Sequence, residues 1–183
     1  MSNSTDFYTE ERRIATTTEM SPLGRYRLDI SRYNTDHDGR GYWAYSEGVI
    51  YDGDREVDRI RRNYPNFHHG WVEGHPNGHD YLLTGTHYMG QTVLELDTGR
   101  RTDRLPEGEE FCFAEYTFRP TLDVPGIGTE GPWIEVLGCY WACPYERVVF
   151  EFGDPLTLPW KEIARHAAFE TNEEDIEQEL RNG

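Results

Sequence analysis

Residues 67–105 read FHHGWVEGHPNGHDYLLTGTHYMGQTVLELDTGRRTDRL and spell out one complete antiparallel β unit. Trp71 and Val72 form a short apolar run between Gly70 and Gly74, and His75-Pro76-Asn77-Gly78 follows. Proline pre-sets φ and Asn-Gly tolerates positive φ, so a tight turn is expected there. Tyr81-Leu82-Leu83-Thr84 is the next strand, closed by Gly85. Residues 91–96 then alternate, with Thr92, Leu94 and Leu96 on one face and Val93 and Glu95 on the other. Period 2 of this kind predicts a half-buried strand. Asp97-Thr98-Gly99 makes a second turn, and the polar residues 100–105 make an exposed edge strand. The stretch predicts a meander of up to four short strands.

Looser copies flank it. Ser21-Pro22-Leu23-Gly24 ahead of Tyr26 and Leu28 matches the His75–Gly78 turn and the strand after it. Val49-Ile50-Tyr51-Asp52 matches Val93-Leu94-Glu95-Leu96-Asp97. Residues 111–138 replay 67–85 around an insertion at Pro125-Gly126-Ile127-Gly128, and Val148-Val149-Phe150-Glu151-Phe152 replays the Val-rich strand. A spacing of roughly 40 to 55 residues suits a blade-type array, although any antiparallel β protein carries some strand–turn–strand echoes.

The Asp-Thr-Gly after a Val-rich strand, and the Pro-x-Gly turn before the preceding strand, resemble blades of β-propeller (WD40-like) proteins. HPNGHDYLL (75–83), GQTVLELDTG (90–99) and GCYWACPYE (138–146) resemble a widespread uncharacterised prokaryotic family over about residues 20–160. That resemblance implies no activity and no site residues. The expected fold is all-β: an antiparallel meander of about three propeller-blade-like units, as an open propeller or a sandwich. Three units are fewer than the four of the smallest usual propeller.

The expected organisation is a flexible or edge-strand arm over 1–19, a single β domain over 20–158 and a C-terminal helical tail over 159–183. The tail follows from Trp160, Ile163, Ala164, Ala167 and Ala168 at helical spacing, Pro159 at a first turn, and the capping-box spacing of Thr171-Asn172-Glu173-Glu174.

Charge narrows the functional classes. Acids outnumber bases 34 to 18 in 183 residues, for a formal net charge of −16, and Lys161 is the one Lys against 17 Arg. An acidic, Lys-poor surface fits a halophilic source or, alternatively, an Arg-rich codon bias. In either case nucleic acid is an unexpected partner, because a phosphate backbone needs a basic face. No apolar run is long enough to span a bilayer and no apolar leader stands at the N-terminus, so a cytoplasmic protein without a membrane partner is expected. The odd set Cys112, Cys139 and Cys143 argues for a reducing compartment.

Two constellations could carry chemistry. His68, His69, His75, His79 and His87 fall close together beside Glu73 and Asp80. Imidazoles and carboxylates bind zinc, so His69, His75, His79 and His87 are candidate ligands, although loop histidines also serve as plain polar turn residues. Cys139-x-x-x-Cys143 could supply thiolates, with Cys112 as a third. The apolar Tyr140-Trp141-Ala142 between them favours a hydrophobic cluster instead. Arg59-Ile60-Arg61-Arg62 reads as a charged, solvated edge strand rather than a binding patch. No nucleophile elbow, phosphate loop or HExxH pattern is present. The functional expectation is therefore a non-enzymatic binding protein with no resident cofactor, acting through a protein partner or homo-oligomer. A metal-dependent hydrolase on residues 68–87 and an acidic inhibitor or immunity protein are the alternatives.

Overall fold

The computed structural model describes residues 7–35, 44–105, 111–120, 131–140 and 144–167. They form three four-stranded antiparallel sheets, each a meander paired in chain order. The first holds β1 (Arg13–Met20), β2 (Tyr26–Asn34), β3 (Ala44–Asp52) and β4 (Arg55–Arg62). The second holds β5 (His69–Val72), β6 (Tyr81–Thr86), β7 (Gly90–Glu95) and β8 (Arg101–Arg104). The third holds β9 (Phe111–Arg119), β10 (Trp133–Tyr140), β11 (Glu146–Glu151) and β12 (Glu162–Ala167).

The turns that the sequence specifies are present. Gly78 sits at φ +89° and its N–H donates to the His75 carbonyl at 2.9 Å. Gly99 sits at φ +77° and its N–H donates to the Glu95 carbonyl at 2.8 Å. An L side chain rarely adopts that φ, which is why glycine ends both turns.

The second sheet is the middle layer of a stack. On one face, Leu82 and Leu94 pack with Leu28, Ile50 and Ile60 of the first sheet. On the other, Tyr81, Leu83 and Val93 pack with Ile134, Val136, Val148 and Phe150 of the third. Successive side chains of a strand point to opposite faces, so both faces of β6 are used and all six of its residues are buried. The half-buried strand expected at 91–96 is corrected for the same reason: in β7 only Gln91 keeps part of its surface. At about 1.5–3 kcal/mol for each fully buried large aliphatic or aromatic side chain, these two shared cores dominate the stability.

Corresponding strands stack on one another. Glu19 of β1 is reached by His69 of β5 and by the Trp71 indole N–H at 3.3 Å. Asp58 of β4 pairs with Arg101 of β8 at 3.2 Å. A closed ring of sheets is not formed among the described residues.

The ends differ from the sequence expectation. Among the described residues there is no helical tail. Residues 162–167 are the edge strand β12, paired to β11 through Val148↔Arg165 and Val149↔Ala164. The spacing of Ile163, Ala164 and Ala167 suited a helix, but the open edge of β11 offers backbone partners that a free helix would forgo. Trp160 is not on a helical face. Its ring lies 5.0 Å from Phe152 and 6.1 Å from Phe113, closing the end of the second core. Residues 168–183, including the Thr171 capping box, lie outside the described residues. At the other end, β1 pairs with β2 along 13–20, as an edge strand, and Phe7 is buried.

Candidate functional site

The side chain that focuses attention is Arg62. In β4 the pattern REVDRIRR puts Ile60 and Arg62 on the inward face. Arg59 and Arg61 turn outward to the buried Glu47, at 2.8 and 2.6 Å. Arg62 is 4% exposed. Its guanidinium stands against Gly85 in β6, where a Cβ would lie 2.5 Å from Cζ and from Nη2. No residue but glycine leaves that space.

Arg62 donates from Nη1 to the Asn66 carbonyl at 3.1 Å, and from Nε and Nη2 to the His87 and Tyr88 carbonyls at 3.4 Å each. Only the first is within the ordinary N–H···O range. A guanidinium has five N–H groups, so this neutral set leaves donors over. Among the described residues no carboxylate stands against it. The groups that raise its pKa are Tyr116, Tyr64 and Cys112, and they are outweighed by burial, which lowers it. Arginine stays charged regardless. A buried cation without a counter-ion costs several kcal/mol.

Arg62 opens onto a recess of about 90 Å³ bounded also by Tyr64, His68, Tyr88, Cys112 and Cys139. At about 30 Å³ per water this is room for roughly three waters. It is far below the roughly 300 Å³ at which pockets for whole drug-sized ligands begin. Its size matches a carboxylate or phosphate group rather than a whole drug-sized ligand. Tyr64 and Tyr88 meet edge to face at 5.2 Å, and Tyr64 stands 6.0 Å from the His68 ring.

Burial, then the neighbouring Arg62, push the His68 pKa down. Burial, then Cys139, push the Cys112 thiol up, with Arg62 opposing. At neutral pH the imidazole and the thiol are both uncharged. An activated Cys–His nucleophile needs the reverse on both groups. The wall thus offers one fixed positive charge among neutral polar groups, with the Glu115 carboxylate within electrostatic reach of His68 and Tyr145 as the one opposing charge among the described residues.

No family model and no solved structure matches the chain. It is similar to Uncharacterized protein R762 of Acanthamoeba polyphaga mimivirus. The two are 30% identical over 167 residues, which cover 88% of this chain and 61% of the relative. The chain therefore spans less than two thirds of that relative's length. The likeness to a prokaryotic family gains no support from these comparisons, and the viral relative carries no activity to transfer.

The histidines proposed as metal ligands are scattered. His69 bonds Glu19 and the Phe67 carbonyl. His75 is buried, its Nε2 against the Phe152 carbonyl at 2.8 Å and its Nδ1 accepting the Asn77 N–H. His87 holds φ +52° in the β6–β7 turn and gives its carbonyl to Arg62. Among the described residues, His79 is the one of the four that stands in a cluster, with ligand atoms of Glu95 and Asp97 within 4.8 Å. There Arg100 already occupies the cation position: it grips Glu95 through Nε and Nη2 at 2.8 and 2.6 Å. A zinc ion would have to displace it. Cys139 pairs in register with Cys112, and Cys143 and Trp141 lie outside the described residues.

Sequence reasoning passed over Arg62. Two signals were available: its parity with Ile60 in an alternating strand, and the isolated Gly85 inside a strand, which marks close approach of another group. Among the described residues, no helix is long and apolar enough to cross a membrane.

Proposed function

We propose that the chain is a binding module of propeller-like stacked sheets that seats the acidic end group of its ligand in the Arg62 recess. The observation that carries this is Arg62, 4% exposed, its guanidinium held by three carbonyl oxygens and the face of the Tyr64 ring 5.5 Å away, at the wall of an anion-sized recess. The neutral state of Cys112 and His68 supports binding rather than turnover. A net charge of −16 repels a free anion at long range, but salt screens that field beyond about 8 Å at physiological ionic strength. At contact the local guanidinium decides. The preferred partner is then a ligand or protein segment that presents one acidic group among neutral or basic ones.

The probes are inorganic phosphate and acetate, titrated into the full chain by calorimetry, with the thermal midpoint as a second readout. At an anion concentration ten times Kd, a single site stabilises the fold by about 1.4 kcal/mol. Arg62→Gln should abolish binding. Arg62→Lys keeps the charge but loses the planar fork, and should weaken binding while keeping the fold. Equal binding by the wild type and Arg62→Lys and Arg62→Gln proteins, or no binding of either anion at tens of millimolar, would refute the reading.

A further inference from the structure

We infer that Cys112 and Cys139 form a reversible disulfide that regulates the anion recess, an inference that rests on the reading of Arg62 given above. The two residues are direct partners in the β9–β10 register, so their side chains leave the sheet on the same face. Directly opposed residues of an antiparallel pair have Cα atoms about 4.5–5.5 Å apart. Disulfides span about 4.4–6.8 Å between Cα atoms, so this separation suits one, and closure asks only that the Cβ atoms draw in from about 4.5–5.5 Å to about 3.8 Å. Both cysteines are half-buried and both line the recess beside Arg62. The register shift opposite Leu137 and Gly138 leaves Ala114 of β9 as the extra residue, two positions from Cys112, and gives β9 local latitude at this point.

A metal reading of the same pair is weaker. Among the described residues, the ligand atoms of Cys112, Cys139 and His68 do not come within 4.8 Å of one another as a group, whereas those of His79, Glu95 and Asp97 do. The fixed charge of Arg62 also opposes a cation there.

The oxidant required is a low-molecular-weight disulfide such as glutathione disulfide. One protein thiolate attacks it, forming a mixed disulfide and releasing one glutathione thiolate. The second cysteine, as thiolate, attacks the protein-side sulfur, the Cys112–Cys139 bond forms, and the second glutathione leaves. Two electrons pass from the protein to the oxidant, and the protons of the two protein thiols end on the two glutathiones. Burial of Cys112 lowers its thiolate fraction and so slows the first attack.

The consequence falls on the recess. In the reduced state the two S–H groups are weak donors on the wall that faces an anion at Arg62. The disulfide has no donor and draws the two sulfurs to about 2.05 Å. Loss of about one net neutral hydrogen bond should lower anion affinity by roughly fivefold.

The test uses the full chain in wild-type form and with Cys143→Ser, each incubated with glutathione disulfide or with a phosphine reductant. Peptide mapping should find a Cys112–Cys139 cross-link in both oxidised proteins. The affinity for inorganic phosphate should fall about fivefold on oxidation and recover on reduction. Cys112→Ser and Cys139→Ser should each lose the response to the oxidant, whatever their own affinity for phosphate. Thiols that remain alkylatable, a cross-link that runs to Cys143 instead, or a Cys112–Cys139 cross-link that leaves phosphate affinity unchanged would each overturn the inference. If phosphate binds neither state, the Arg62 reading itself falls and the regulatory role falls with it. The cross-link map would still report on the cysteine pairing alone.

Discussion

Glu95→Gln should cost stability near pH 5.5 and much less near pH 2.5. Glu95 is fully buried and accepts from Arg100 twice, from the Tyr81 hydroxyl at 3.2 Å and from the Thr98 hydroxyl. The Arg100 hydrogen bonds hold its pKa down, from the ordinary 4.5 to about 2. At about 1.4 kcal/mol per pKa unit, that depression has a ceiling of about 3 kcal/mol. The Arg100 side chain is 63% exposed, so water screens the pair and the expected contribution falls to about 1–2 kcal/mol. For a chain of this size that is a midpoint shift of roughly 3–6 °C. The folded pKa lies below the unfolded one, so the stabilisation is full above pH 4.5 and disappears as pH falls through 2. Gln keeps the size and loses the charge, so the gap between the two proteins should close over the same window. Thermal or urea melts from pH 5.5 to 2.5 measure it, and the imidazolium of His79 is charged throughout. A gap that is absent at pH 5.5, or equally large at pH 2.5, would refute the assignment.

His79 carries the opposite sign. Its hydrogen bond to Asp97 raises its pKa, so His79→Gln should be destabilising near pH 6, with the difference vanishing as pH rises through the folded value. Gly70→Ala would place a Cβ 2.4 Å from Cβ of Tyr116, an atom that cannot swing away, and should cost about 1–3 kcal/mol in urea melts. Trp160→Ala empties the end of the core shared with the third sheet and should cost about 3–5 kcal/mol, with loss of the near-ultraviolet aromatic signal. Because like charges at −16 repel and salt screens them, the thermal midpoint should rise in potassium chloride.

Much of the β architecture was legible because its punctuation is chemical. Pro76, Gly78 and Gly99 each impose a backbone state, and the strands between them followed. The recurrence of the same punctuation marked three units, and three sheets exist. What failed was any judgement that depended on a neighbour. Ile163, Ala164 and Ala167 fit a helix and a strand equally well, and only the open edge of β11 decides between them. Residues 91–96 alternate as a one-faced strand does, yet a second sheet covers their polar face. Arg62 sits in a basic tetrad that looks solvated. Its burial depends on Gly85, which is 23 positions further along the chain. A cluster such as His79, Glu95 and Asp97 was partly in view, but the Arg100 that fills it was read only as edge-strand polarity.

The stacking has a consequence in time. The middle sheet is a wall common to two cores, whereas the first and third sheets each supply one wall of one core. An outer sheet can peel away and expose a single core. The middle sheet cannot open without exposing both. Amide protons of β6 and β7 should therefore exchange only through whole-molecule unfolding, and those of β1, β2 and β12 through smaller, more frequent openings. Arg62, on the strand that links the first sheet to the recess, belongs to the part that opens early. Ligand capture at the recess should then slow the exchange of the first sheet before it slows that of the middle one.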